Sequence, residues 1–150
     1  MNYAITPEFK IISKASILRA FNQTTREHLV MMPADRFENS LEYNFKDGKK
    51  LTNGYVSLST LTVLKQTRVP ENSDYAAPPP GYTLLNFSAG VDIPLKANAI
   101  SIGVSVNNLL NTRYRDYMNR FRYFTDEMGR NISVRATVPF ALFTPESKHN

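Results

Sequence analysis

Cysteine is absent from the 150 residues. With no thiol there is no disulfide framework, thiolate nucleophile, zinc ribbon or iron–sulfur ligation, so several enzyme classes drop out together. Histidine is nearly absent too. His28 and His149 have no carboxylate at ligand or triad spacing, which leaves no pattern for a metal site or for Ser-His-Asp chemistry. No glycine-rich loop of the phosphate-cradling kind occurs. No apolar run approaches the roughly 18 residues of a membrane helix, and MNYAITPEFK lacks the basic-then-apolar order of a signal peptide. A helical membrane protein is thereby excluded. A membrane β-barrel stays open, because barrel strands alternate in polarity and give an ordinary mean hydropathy. The net charge of +5 is a mild basic excess that suits an anionic surface without requiring one. Length and a hydrophobic content of 42% fit one domain.

What the sequence does contain is strict alternation. Ile132, Val134, Ala136, Val138 and Phe140 interleave with Asn131, Ser133, Arg135, Thr137 and Pro139. The same period of two runs through Leu85 to Ile93, through Ile100 to Val106, and through Phe37 to Phe45 against Arg36 to Asn44. Two further β-rich segments, Phe9 to Phe21 and Leu51 to Arg68, read less cleanly. Val56 and Leu58 fall out of phase with Leu61 and Val63, which predicts a bulge or edge near Ser59. The pattern predicts six strands and no long helix, an all-β antiparallel up-and-down meander.

The connections carry more information than the strands. Segments 46–50 and 95–98 are short, whereas 22–35, 69–81 and 114–128 are long, and the two kinds alternate. In a meander this places tight turns at one end and long loops at the other, the asymmetry of outer-membrane barrels. Strands of about ten residues match a tilted bilayer crossing, and Phe45, Tyr82, Tyr114, Tyr117, Tyr123 and Phe140 fall near strand ends as interface aromatics do.

Specific residues then narrow the reading. Pro80-Gly81-Tyr82-Thr83-Leu84-Leu85-Asn86, the run Val106-Asn107-Asn108-Leu109-Leu110-Asn111-Thr112-Arg113-Tyr114-Arg115-Asp116-Tyr117, then Gly129-Arg130-Asn131-Ile132 and a terminal Val138-Pro139-Phe140 resemble the C-terminal part of a TonB-dependent outer-membrane receptor. Phe37-Glu38-Asn39-Ser40 resembles that family as well, so the likeness spans about residues 1–140. The resemblance implies a large transmembrane barrel in the bacterial outer membrane, of about 22 strands around an N-terminal plug, of which these are the last six. It implies a non-enzymatic importer of a scarce nutrient, above all a ferric siderophore or other iron complex, without a resident cofactor. Its implied partners are outer-membrane lipid and lipopolysaccharide, the TonB complex through the missing plug, and the barrel assembly machinery, with Phe140 as assembly signal. The chain is accordingly expected to be a fragment, with 141–150 a tail beyond the terminal aromatic.

Two constellations become candidate sites within that frame. Arg113, Arg115, Arg120 and Arg122 interleave with Tyr117 and Tyr123 in a long connection. Such a segment could capture an anionic ligand, or its arginines could meet lipopolysaccharide phosphates or the nearby carboxylates Asp116, Asp126 and Glu127. The alternative is a small soluble β-sheet module that binds single-stranded nucleic acid or a protein partner through segment 113–124, whereas the membrane reading includes no nucleic acid. Arg36, Glu38, Glu42, Asp92 and Arg135 fall on polar phases and are expected to line a hydrated lumen. Glu38 and Glu42 stand roughly 13 Å apart at strand rise, too far for a glycosidase pair. Pro78-Pro79-Pro80 reads as a stiff loop segment, with an SH3-type ligand as the remote alternative.

Overall fold

The computed structural model describes residues 2–4, 6–95 and 98–139, and Phe140 and the tail 141–150 lie outside the described residues. A seven-stranded antiparallel sheet carries the fold: β1 (Asn2–Ala4), β2 (Phe9–Ser16), β5 (Arg36–Asn44), β6 (Thr52–Val63), β7 (Tyr82–Pro94), β8 (Ala99–Asn107) and β9 (Asn131–Thr137). Each main strand pairs with the next along the chain. A separate two-stranded ribbon, β3 (Phe21–Asn22) and β4 (Glu27–His28), projects from the connection between β2 and β5. The six long strands are those the alternation predicts. The short β1, which pairs Asn2 to Ile12 and Ala4 to Lys10, adds a seventh that three residues could not signal.

Register divides the sheet into two chemically different faces. One row runs Phe9, Tyr43, Val56, Ala89, Val104, Val134, and the next runs Ile11, Leu41, Leu58, Phe87, Val106, Ile132. The opposite face carries the row Lys10, Glu42, Ser57, Ser88, Ser105, Ser133. Because side chains alternate with period two, a slip of one residue in any strand would mix the faces, so the uniform apolar rows specify the register.

The phase change in β6 has a different origin from the bulge predicted near Ser59. The β5–β6 pairing runs without interruption from Tyr55 to Val63, and the irregularity lies between Thr52 and Tyr55. There Asn53 takes φ of 51° and donates its backbone N–H to Asp47 Oδ1 at 2.7 Å. Leu61 and Val63 are simply on the polar face, where its chemistry changes. Val63, Leu84, Tyr117 and Ala34 are the buried apolar residues among those described, and they gather where the long loops fold in. The core of this chain is therefore a small cluster at one end, while the broad apolar face is left uncovered.

Gly81 shows how tightly that end is built. A Cβ there would stand 2.7 Å from the Val63 carbonyl oxygen and 2.9 Å from the Lys65 amide nitrogen, both backbone atoms of the paired strand end. Neither can move without opening the β6–β7 junction. Gly81→Ala is expected to destabilise the folded sheet by about 1–3 kcal/mol, seen as a lower thermal midpoint of the folded protein. An unchanged midpoint would mean that the junction yields freely.

Candidate functional site

All three long connections, 17–35, 64–81 and 108–130, leave the same end of the sheet. The last begins with an asparagine turn. Asn108 and Asn111 adopt φ of 52° and 55°, conformations that asparagine tolerates better than most residues. The Asn108 side chain brackets Thr112, accepting its N–H and donating to its carbonyl, both at 2.8 Å. The Asn108 N–H donates to Asn86 Oδ1 at 2.9 Å, and Asn111 Oδ1 accepts the Arg130 N–H at 2.9 Å. The run Asn108-Leu109-Leu110-Asn111 thus reverses the chain and ties the loop's exit to its entrance, a structural task.

From there the loop folds back over the polar face. Asp116 Oδ2 accepts from Arg36 Nη2 and from the Tyr82 hydroxyl, each at 2.7 Å, and the Tyr82 and Tyr114 rings lie 4.4 Å apart. Burial, together with the Glu127 and Asp116 charges, pushes the Tyr114 hydroxyl above its ordinary range. The other loops are laced in as well. Asp35 takes a two-pronged ion pair from Arg19 at 2.6 and 2.8 Å and a third contact from Arg68 at 2.8 Å. Hydrogen bonding from Arg19, with the charges of both guanidinium groups, holds Asp35 below the usual carboxylate range despite its desolvation. Gln66, 2% exposed, donates to the Met32 and Pro33 carbonyls at 2.7 and 3.1 Å.

Between the second and third loops lies the tightest contact. Arg122 is buried between the rings of Tyr117 and Tyr123, with its guanidinium carbon 4.2 and 4.7 Å from their centroids. It donates to the Tyr117 carbonyl, to Asp74 and to the Tyr123 hydroxyl, and that hydroxyl donates to Asp74. Burial pushes the Asp74 carboxyl up, but Tyr123, Arg122 and the amides of Tyr75 and Ala76 together hold it below its ordinary value. Accepting that hydrogen bond, Asp74 raises the Tyr123 hydroxyl.

An open groove of about 940 Å³ runs between these two loops, lined by Tyr75, Pro78-Pro79-Pro80, Arg113, Tyr123, Phe124 and Asp126 among others. Asp126 receives Arg115 at 2.7 Å and Arg113 at 2.9 and 3.1 Å, and these hydrogen bonds hold its carboxyl below the usual range. Two cations share one anion, so the groove keeps a net positive rim. Tyr75 and Phe124 are almost fully exposed and offer apolar ring faces beside it.

Of the six residues singled out in this loop, Arg113, Arg115, Arg122 and Tyr123 line the groove, Tyr117 is buried against Arg122, and Arg120 is exposed outside the groove lining. Arg122 serves the loop's own structure. Arg36, Glu38, Glu42, Asp92 and Arg135 all occupy one face of the sheet by register. Lys14 and Lys10 stand opposite Glu38 and Glu42 at 3.4 and 3.5 Å, and Asn53 donates to Asp92 at 2.8 Å. Arg36 belongs instead to the loop anchor. Asp74, Asp35, Arg68 and Gln66 were not singled out, because partners some 16 to 48 residues apart in sequence leave no local pattern.

No family model and no curated protein matches this sequence. Comparison with solved structures does find matches, among them the copper transporter OprC. The alignment covers 90% of this chain at a TM-score of 0.73, with 15% sequence identity. The chain spans about a fifth of OprC, 21% of its length, and what the two share is the fold: an antiparallel barrel-wall meander.

Proposed function

We propose that this chain is the C-terminal barrel wall of a TonB-dependent-type outer-membrane transporter that imports a scarce nutrient. The carrying observation is the uncovered apolar face, continuous in register across six strands, where the buried core among the described residues is four apolar residues at one end. In water that surface would be an exposed patch far larger than monomers keep; in a bilayer it is the lipid-facing wall. The polar face with Glu38, Glu42, Asp92 and Arg135 is then the lumen. The long loops lie outside the cell and the short turns in the periplasm. The shared fold with a copper transporter and the resemblance in the asparagine run support the same reading.

Within it, the groove between the outer loops is the capture site. Arg113 and Arg115 supply positive charge, and Tyr75, Tyr123 and Phe124 supply ring faces, which suits an anionic metal complex of the ferric siderophore kind. OprC makes copper the second cargo to examine. The plug, TonB, lipopolysaccharide and the assembly machinery complete the proposal as partners of the whole protein.

The test is growth of a transport-deficient strain carrying the complete gene, with ferric siderophores, haem, copper or glycans limiting in turn. Growth is expected on an iron chelate, weakened by Arg113→Ala with Arg115→Ala while surface display stays normal. Growth on copper alone would replace the iron reading. A water-soluble, monodisperse monomer of residues 1–150 would overturn the membrane reading and favour a soluble binding module.

A further inference from the structure

The apolar face is not uniformly flat. At the end that carries the short turns it holds a groove of about 670 Å³, bounded by Phe45, Leu51, Val56, Ala89, Ile102 and Val104. Ala89, the smallest side chain of its apolar row, sets its depth, while Gly90 and Gly103 pair in the neighbouring row, whose side chains point to the opposite face. On the far side of the sheet the Tyr55 ring covers Gly90, so close that a Cβ there would meet Tyr55 Cε1 at 2.6 Å. The floor of the groove is therefore the sheet itself, backed by that ring, and the groove opens on the apolar face.

Its rim is charged. Lys46 and Gly48 line the upper edge, and Lys49 and Lys50 follow in the same exposed turn. Lys46 meets Glu8 at 3.5 Å while remaining 85% exposed, and the carboxylate of Asp47 is engaged by the Asn53 N–H. Among the described residues no ion pair engages Lys49 or Lys50. An apolar trough edged by Lys46, in a turn that also carries Lys49 and Lys50, complements a hydrocarbon chain bearing a phosphate.

We infer that this groove holds an acyl chain of an anionic phospholipid, with its phosphate met by the lysines of the 46–50 turn. The inference rests on the membrane reading above. Under that reading the short-turn end lies in the inner leaflet, so the occupant is a phospholipid of the phosphatidylglycerol type and not lipopolysaccharide. A chain seated in the trough touches protein on several sides, where a chain on a flat wall touches it on one, and gains dispersion contacts accordingly. Each lysine near an anionic headgroup favours binding by about fivefold.

The complete transporter in nanodiscs of phosphatidylcholine, alone or mixed with phosphatidylglycerol, provides the test, with native mass spectrometry counting retained lipid. The parent protein is expected to keep phosphatidylglycerol in preference to phosphatidylcholine. Replacing Lys46, Lys49 and Lys50 by Ala should abolish that preference, a drop of about fivefold or more, and replacing them by Arg should preserve it. Ala89→Phe, which fills the trough and leaves the charges, should reduce retention of both lipids. Equal retention by the parent protein, a preference that survives the Ala variant, or undiminished lipid retention by Ala89→Phe would overturn the proposal. Heat-modifiable gel mobility of the same samples reads the membrane barrel separately. A protein that is heat-modifiable but shows no preference sinks only the lipid site, whereas loss of heat-modifiability in the parent sinks the reading beneath it.

Discussion

Val104→Arg is expected to block assembly into lipid vesicles, while Ser105→Arg one residue further along assembles normally. Val104 lies midway along β8, in the row that joins Tyr43, Val56, Ala89 and Val134. On a lipid-facing wall an arginine near the bilayer midplane costs about 2–4 kcal/mol, which shifts the folding equilibrium by about 30- to 1000-fold. Ser105 belongs to the row of Glu42, Ser57, Ser88 and Ser133, a face that already carries Arg135. The measurement is the folded fraction by heat-modifiable gel mobility after dilution of the complete protein from urea into vesicles. Equal yields for the two variants would show that the faces are not chemically distinct solvents, and the barrel reading would fall with them.

The contrast between those neighbouring positions is legible in the sequence because the period of two is local. Each strand declares its own faces, and the alternation of short and long connections orders the strands. The meander, its polarity and the uncovered face all follow from patterns within about ten residues. What lay beyond reach was decided by partners distant along the chain. Leu61 and Val63 break the apolar phase of β6 because they stand on the polar face near the end where the long connections leave and where Val63 is buried, and from within the strand that looked like a bulge. The true irregularity, at Asn53 and Gly54, is held by Asp47 and Asp92, one in the preceding turn and one in the next strand. Strand ends were read too long for a related reason. Ile17 to Phe21 and Leu64 to Arg68 keep β-branched or apolar character after pairing has stopped, since Arg19, Gln66 and Arg68 are already tying loops together.

The candidate site divides in the same way. That residues 113–124 form a basic and aromatic surface segment could be read from composition alone. Which arginine faces outward could not, because burial of Arg122 depends on Asp74, 48 residues earlier in another loop. The groove exists because that pair holds the two loops side by side, with Arg113, Arg115 and Asp126 left on its wall. Under the proposed function, capture and architecture fall to different arginines of one segment, and substitutions should separate them.

Asp74→Ala is accordingly expected to open the groove without disturbing the barrel. Arg122 is 3% exposed and Asp74 13% exposed, so the change strands a guanidinium with only the Tyr117 carbonyl and the Tyr123 hydroxyl as partners. Removing one member of a buried pair costs about 3–5 kcal/mol, because the remaining charge stays desolvated. Local opening of residues 70–78 and 117–124 is therefore expected to become about 150- to 5000-fold more frequent, read as faster amide hydrogen exchange there with β5 to β8 unchanged. The pair Asp74→Leu with Arg122→Met, which leaves no orphan charge, should restore most of the protection. Acid should mimic the single variant. The folded carboxyl titrates below its ordinary value of 3.8, so its stabilisation is complete above that value and is lost as pH falls through the depressed one. Fast exchange in the wild-type loops should then appear only under strongly acidic conditions, and Asp74→Ala should show no such acid step. If Asp74→Ala leaves exchange in both loops at the wild-type rate, the Asp74–Arg122 contact does not hold the groove, and capture would have to be sought elsewhere on the loops.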